Sequence, residues 1–441
     1  MTDGKTGRPD GRRFDREIFA LALPALGALA AEPSYVLVDT AIVGHLGTPQ
    51  LAALAIAATL LSTGITLFNF LTYGTTARVA RLHGAGEEAA AGRIGAQALW
   101  LSVALGLGLL GLILLLAEPA VAAMGGRGET AEMSVAYLRI SALGVPFAMV
   151  ALAGQGFLRG VGNLRTPLVI LVVANVANAV LEVLFVYGFG WGLAGSAWGT
   201  VIAQVGMGIA FVYWLLGAPA DSRRPSWTTM RPLLRIGGDI AVRTGALLLS
   251  FMLASAVAAR MGEASLAAHQ VAFGLFVFLA LVLDAVAIAG QILVGRLLGA
   301  GDAGAAYSAA RRMIFWSVVV GCAFCAALLA GTGTIPYAFT GDPEVVERAK
   351  ELWPLFALMQ PVGAAVFALD GILIGAGDIR FLKRSMLSAL LIFAPLALAA
   401  PAFGLGVTGV WAALNVLMLV RLLTCGARFR GRRWAVVGAS A

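Results

Sequence analysis

Twelve apolar runs, separated by short polar breaks, constrain this chain more than any other feature. They fall at about 17–43, 50–80, 92–117, 132–158, 164–189, 193–217, 233–259, 265–295, 308–331, 346–374, 379–402 and 406–427. Roughly 20 apolar residues suffice for an α-helix to cross the hydrocarbon of a bilayer. The expected fold class is therefore an all-α polytopic membrane protein with twelve transmembrane helices. Only 12% of the 441 residues are charged, about half the share found in soluble domains, and the mean hydropathy is +0.90. The net charge of +8 does not signal a nucleic-acid partner, because the basic residues lie between the apolar runs.

Those basic residues set the expected orientation. Lys5, Arg8, Arg12, Arg13 and Arg16 precede the first run, Arg223, Arg224, Arg231 and Arg235 occupy the central break, and Arg421, Arg428, Arg430, Arg432 and Arg433 close the chain. Breaks on the other side hold few: Arg127, Arg260, Arg348 and Lys350. The positive-inside rule then places both termini in the cytoplasm. Residues 1–16 are polar and basic with no cleavable apolar core, and read as a cytoplasmic tail rather than a signal peptide. The expected domains are this tail, a first lobe of six spans over 17–217, a cytoplasmic linker over 218–232, a second lobe over 233–427, and a cytoplasmic tail over 428–441.

The halves repeat one another. Arg81-Leu-His-Gly-Ala-Gly-Glu87 returns as Arg296-Leu-Leu-Gly-Ala-Gly-Asp302, His45-Leu-Gly-Thr-Pro-Gln-Leu-Ala52 as Arg260-Met-Gly-Glu-Ala-Ser-Leu-Ala267, and Gly160-x-Gly-x-x-Arg165 as Gly375-x-Gly-x-x-Arg380, each 215 positions later. A shared offset marks a duplication. Six spans per half is even, so the halves run parallel, and transport sites in such proteins lie near the midplane. The Gly-x-Gly elements follow no strand and read as helix turns rather than phosphate cradles. No Walker sequence is present, so ATP is not expected to drive the protein directly.

Polar residues inside the runs are the functional candidates. Asp39 lies in the first run, about four residues before the Gly44–His45–Leu46–Gly47 turn. A carboxylate in hydrocarbon is costly and usually faces a cavity or an ion path; a buried one is suited to exchanging a proton. The competing reading is that Asp39 snorkels to the headgroups. Tyr35 precedes it by one helical turn on the same face. Glu32 has no partner that the sequence identifies, and Pro33 beside it is expected to open the helix locally. In the fifth run Asn175, Asn178 and Glu182 share one face, which should turn to the protein interior and, with Asp39, form an oxygen-rich pocket for a proton or small cation. The alternative is interhelical hydrogen bonding that only packs the bundle. Tyr137 and Thr200 are further polar groups in the same half. In the second half Asp239 and Arg243, four apart, are expected to pair. Asp284 and Asp370 are acids for a second polar site with Arg243, either in transport or as a structural ion pair. His269 reads as packing or capping, and Cys322 and Cys325 as packing residues with no metal role.

Leu23-Pro24-Ala25, Val38-Asp39-Thr40-Ala41-Ile42-Val43-Gly44-His45-Leu46-Gly47, Leu158-Arg159-Gly160-Val161-Gly162-Asn163 and Ala268-His269-Gln270 resemble the multidrug and toxic compound extrusion (MATE) family. Arg243-Thr244 and Phe367-x-x-Asp370-Gly371 look like its DNA-damage-inducible branch. The resemblance spans both halves. It implies a V-shaped monomer of two six-helix lobes in the bacterial inner membrane that alternates access and exports lipophilic or cationic small molecules by cation antiport. It implies no cofactor beyond the coupling ion, H⁺ or Na⁺. Asp39 resembles the family's protonatable aspartate, Tyr35 its tyrosine neighbour, and Pro24 the proline where helix one bends. Asn178 matches the family's asparagine, Glu182 stands where relatives often have Asp, and Tyr137 and Thr200 resemble residues bordering the pocket. A sodium ion would take Asp39, Asn178, Glu182 and Thr200. Two other functions compete. A lipid-linked oligosaccharide flippase of the same superfamily should carry a cationic cavity for pyrophosphate, whereas the one deep cation expected here is Arg243. A membrane-embedded enzyme lacks any histidine-rich metal constellation among His45, His83 and His269.

Overall fold

The computed structural model describes residues 11–439; Lys5 and Arg8 of the expected N-terminal tail and the last two residues of the C-terminal one lie outside them. The described residues form fourteen α-helices and no strand: α1 (Gly11–Gly44), α2 (Thr48–Thr66), α3 (Phe70–Gly84), α4 (Glu88–Ala123), α5 (Gly128–Ala142), α6 (Val145–Gly160), α7 (Arg165–Val183), α8 (Gly192–Gly217), α9 (Trp227–Arg260), α10 (Glu263–Gly299), α11 (Ala303–Ala330), α12 (Pro343–Gly375), α13 (Ile379–Ala399) and α14 (Gly406–Arg430). Eleven stretches are long and apolar enough to cross a membrane, with α2 and α3 counted as one; α5 and α6, bent by 49°, make the twelfth.

Two spans are thus interrupted. Pro146 sits in the first turn of α6, where its missing N–H is tolerated, but its ring prevents α5 from running straight through. α1 behaves differently, continuing unbroken past Pro24 and Pro33. The expected opening at Pro33 does not occur: α1 stays helical through it, and two side chains donate to carbonyls of the preceding turn. The Ser34 hydroxyl donates to the Ala30 carbonyl at 2.8 Å and the Asn175 amide to the Ala31 carbonyl at 2.9 Å.

The chain divides into two compact units, one of Gly27–Gly238 and one of Met1–Leu26 with Asp239–Ala441. The boundary falls inside α1, two residues after Pro24, and inside α9. In the second of these units the start of α1 is held by ion pairs of Asp15 with Arg312 and Glu17 with Arg296. The Trp316 indole also donates to Asp15 at 2.8 Å. That unit's core is built around Trp353, Phe356, Phe393 and Trp411. In the Gly27–Gly238 unit, Met149, Phe157 and Phe211 centre one core, and Val43, Ala57, Tyr137 and Leu138 another.

The Gly-x-Gly elements are turns. Gly162 and Gly377 adopt φ of 81° and 78°, the left-handed conformation that ends a helix and favours glycine. The first glycine of each motif serves contact instead: a Cβ on Gly160 would lie 2.6 Å from Val79, and one on Gly375 2.4 Å from the Gln291 carbonyl. The break after α8 is docked on α4, where Arg93 pairs with Asp221 at 3.0 Å. Gln97 donates to the Arg224 carbonyl at 2.8 Å and accepts from the Ser226 N–H at 2.8 Å.

Candidate functional site

Inside the Gly27–Gly238 unit a cavity of about 580 Å³ is lined by Glu32, Tyr35 and Asp39 from α1, Tyr137 from α5, Asn178 from α7 and Thr200 from α8. The sequence-derived residues of the first half therefore converge on one place. Asp39 is 5% exposed and Asn178 2%, while Glu182 is fully buried behind the wall. The snorkelling alternative for Asp39 is excluded, because its carboxylate points into the protein.

Local packing explains the convergence. Gly195 and Gly199, one turn apart on α8, let that helix approach α7: a Cβ on Gly199 would lie 3.0 Å from the Glu182 Cγ, and one on Gly195 2.8 Å from the Phe185 backbone. Close approach through small residues is how helices associate without a hydrophobic drive between them. It presents Ser196 and Thr200, each next in sequence to one of these glycines, to the acids. The Ser196 hydroxyl lies 2.8 Å from Asp39 Oδ1 and 3.4 Å from Glu182 Oε1. Asn178 Nδ2 donates to the same Glu182 oxygen at 3.0 Å and to Thr200 Oγ1 at 3.2 Å. Thr200 Oγ1 meets the Tyr35 hydroxyl at 3.0 Å. Asp39, Ser196, Glu182, Asn178, Thr200 and Tyr35 thus form one continuous network across α1, α7 and α8. Tyr137, 3% exposed, closes it from α5.

Two members of this region were not anticipated. Ser196 carries the link between the two carboxyls; its signal was the Ser-x-x-x-Thr spacing that puts it on the same face as Thr200. Beyond Glu182 the chain makes a π turn over Leu184–Gly188, a distortion frequent at functional sites. Within it the Tyr187 hydroxyl donates to the Ile42 carbonyl at 2.6 Å, tying the end of α1 to the segment that follows Glu182.

Two buried oxygens of the network, Asn178 Oδ1 and Glu182 Oε2, have no hydrogen-bond partner among the described residues. Buried acceptors left bare are costly, and an oxygen-rich set with two vacant acceptors suits a proton on a carboxyl or a small hard cation. Among the described residues no group of three or more His, Cys, Asp or Glu is placed to hold a metal.

The second-half candidates arrange themselves differently. Asp370 Oδ2 accepts from both Arg243 and Arg421, and Asp239 pairs with Lys383 instead of Arg243. Arg421 corrects the expectation that Arg243 is the one deep cation. It is 2% exposed, although by sequence it counts among the basic residues that close the chain. Asp284 is half-buried on α10. His269 is fully buried, with Nε2 3.0 Å from Ser255 Oγ and its ring stacked on Phe273; it is a core residue. Cys322 and Cys325 are free thiols on α11.

The MatE family model matches this chain twice, over residues 24–184 and 240–399, and both ends of the two matches agree with the internal offset to within one residue. Protein DETOXIFICATION 44, chloroplastic, of Arabidopsis thaliana is 34% identical over 449 residues, covering 93% of this chain and 81% of the relative. DNA damage-inducible protein F of Escherichia coli is 32% identical over 432 residues, covering 95% and 93%. Among solved structures, a MATE protein in the bent conformation superposes with a TM-score of 0.88 at 21% identity, covering 96% of this chain and 98% of that one. Twelve spans in a duplicated arrangement, a buried acid network in the first repeat, and a family model matched once per repeat lead to one conclusion: the chain belongs to the MATE family of membrane transporters.

Proposed function

We propose that this protein is a secondary active efflux transporter that exports lipophilic cations from the cytoplasm, and that Asp39 and Glu182 couple export to inward movement of a proton. The observation that carries this reading is the Ser196 hydroxyl, in reach of the Asp39 carboxyl at the wall of the cavity and of the Glu182 carboxyl behind it. Two carboxyls joined by one hydroxyl hold a single proton between them at less cost than two charges. Relatives named as multidrug resistance proteins, such as PmpM of Pseudomonas aeruginosa at 28% identity, support a role in multidrug efflux.

In the charged state, Asp39 attracts a cation into the cavity while Asn178, Ser196 and Thr200 stabilise the buried charge. A proton arriving from outside neutralises the pair and removes that attraction, so the cation leaves. The change of charge also alters the hydrogen bonds that α1 makes through Tyr35. Pro24 is the hinge of this reading. It offers no N–H to the Ala20 carbonyl, so a bend there breaks no helical hydrogen bond, and the boundary between the compact units lies beside it. Such a switch moves only as far as the two charge states differ in their preference for the two conformations. A protein with both termini cytoplasmic in a bacterial inner membrane, acting as a monomer, completes the proposal. Sodium in place of the proton would use Asp39, Glu182, Asn178 and Thr200 as ligands. For the flippase alternative a cationic cavity is needed, and Arg159 is the one basic residue among the lining residues.

The test is transport in proteoliposomes with imposed pH or sodium gradients and a fluorescent lipophilic cation. A pH gradient should drive accumulation by the wild type and not by folded Asp39→Asn protein. Wild-type transport by that variant would overturn the mechanism, and drive by sodium alone would replace the proton.

A further inference from the structure

The network above occupies Asp39 and Glu182 with hydroxyl and amide donors, yet the cavity has another acid. Glu32 lines it from α1, one turn beyond Tyr35 and two beyond Asp39, on the same helical face. Ala28, Glu32, Tyr35 and Asp39 all line the cavity, at the spacing of one stripe. At 1.5 Å rise per residue, the Glu32 and Asp39 positions are about 10 Å apart along the axis. Among the described residues the Glu32 carboxylate makes no hydrogen bond and no ion pair, and it is exposed to the cavity space. Its surroundings are mixed. Leu29, Ile65 and Met207 give apolar wall, and Arg159, which accepts a role with Gln155 by donating to its Oε1 at 3.1 Å, also lines the cavity.

A carboxylate in a membrane-embedded cavity without a partner in the protein carries an uncompensated charge, which is costly unless a ligand supplies the counter-charge. A lipophilic cation does so, with its apolar body against the leucine, isoleucine and methionine side chains. We propose that Glu32 is the substrate-binding carboxylate of this cavity, holding the charged centre of a lipophilic monocation, while the Asp39–Ser196–Glu182 group two turns away handles the coupling ion. Binding and coupling are then carried by different acids. A cation bound at Glu32 still senses the charge of Asp39 through a short, poorly screened path, so protonation weakens binding without the two ions having to share ligands. This deepens the efflux reading and rests on it.

The experiment is binding by titration calorimetry in detergent, using tetraphenylphosphonium and the uncharged triphenylphosphine oxide as probes. Wild type, Glu32→Gln, Glu32→Asp and Asp39→Asn are compared, and thermal unfolding verifies that each is folded. Glu32→Gln should weaken tetraphenylphosphonium binding about 10-fold or more, leave triphenylphosphine oxide binding unchanged, and keep the pH dependence of the cation binding that remains. Glu32→Asp should recover part of the affinity. Asp39→Asn, fixed in the neutral form, should bind the cation measurably but with the weakened affinity of the protonated wild type, and lose the pH dependence. Wild-type affinity for tetraphenylphosphonium in Glu32→Gln, or loss of cation binding in Asp39→Asn alone, would overturn the proposal. Failure of the wild type to transport in liposomes would instead strike the efflux reading, because the binding comparison needs no gradient.

Discussion

The two repeats place opposite chemistry at five equivalent positions. Taken 215 residues on, Asp39, Tyr137, Asn178, Glu182 and Ser196 become Ala254, Leu352, Phe393, Ala397 and Trp411. All five of these are at most 1% exposed and belong to one hydrophobic core. Buried charge in the second repeat lies elsewhere, in Asp370 with Arg243 and Arg421. Asp370 and Arg243 occupy the positions of Gln155 and Ala28, which line the cavity of the first repeat. Where one repeat keeps a cavity bordered by acids held through hydroxyls and amides, the other pairs one oxygen of its acid with two guanidinium groups. Hydroxyls can rotate and accept a change of charge, whereas an arginine pair fixes the charge it neutralises. On the proposed coupling, the duplication thus separates a titrating site from a locked one.

The largest effect expected from breaking this contrast is on stability. Asp370→Ala leaves two arginines buried without their acid, and should cost about 3–5 kcal/mol, the range for removing one partner of a buried pair. Asp39→Asn, which keeps its shape and a hydrogen-bonding group, should cost less than about 1 kcal/mol. Tryptophan fluorescence during unfolding in detergent measures both. Equal losses would mean that the acids serve alike.

A smaller effect sharpens the comparison at one pair of equivalent positions. Trp411→Ala should destabilise by about 3 kcal/mol, the lower end for emptying a large core side chain, yet leave any surviving transport with its normal pH dependence. Ser196→Ala should do the reverse, shifting the pH profile of transport while moving the unfolding midpoint little. A pH profile unchanged in Ser196→Ala would remove the hydroxyl from the coupling group.

Much of this was legible in the sequence because a membrane makes polar residues conspicuous. Apolar length located the twelve spans, and helical spacing put Asn178 and Glu182 on one inward face. Ser196 escaped because a serine is inexpensive anywhere in a transmembrane helix; its importance depends on Gly195 and Gly199 bringing α8 against α7. Arg421 escaped because it stands among the basic residues that close the chain, and only tertiary packing brings it to Asp370. The Asp239–Arg243 pairing failed for a related reason: spacing shows which residues share a helix face, but Lys383 and Asp370 reach that face from α13 and α12. α1 runs on across Pro33, where Ser34 and Asn175, the latter from another helix, donate to carbonyls of the preceding turn.

The most direct test of the titrating site is proton release on substrate binding, followed with a pH indicator in weakly buffered detergent solution near neutral pH. Addition of tetraphenylphosphonium to the wild type should release up to about one proton per bound cation, because binding favours the charged state of the Asp39–Glu182 pair. Glu182→Gln and Asp39→Asn should release markedly less, and Asp370→Asn, if folded, should release as much as the wild type. Undiminished release from both Asp39→Asn and Glu182→Gln would contradict the assignment of coupling to this pair.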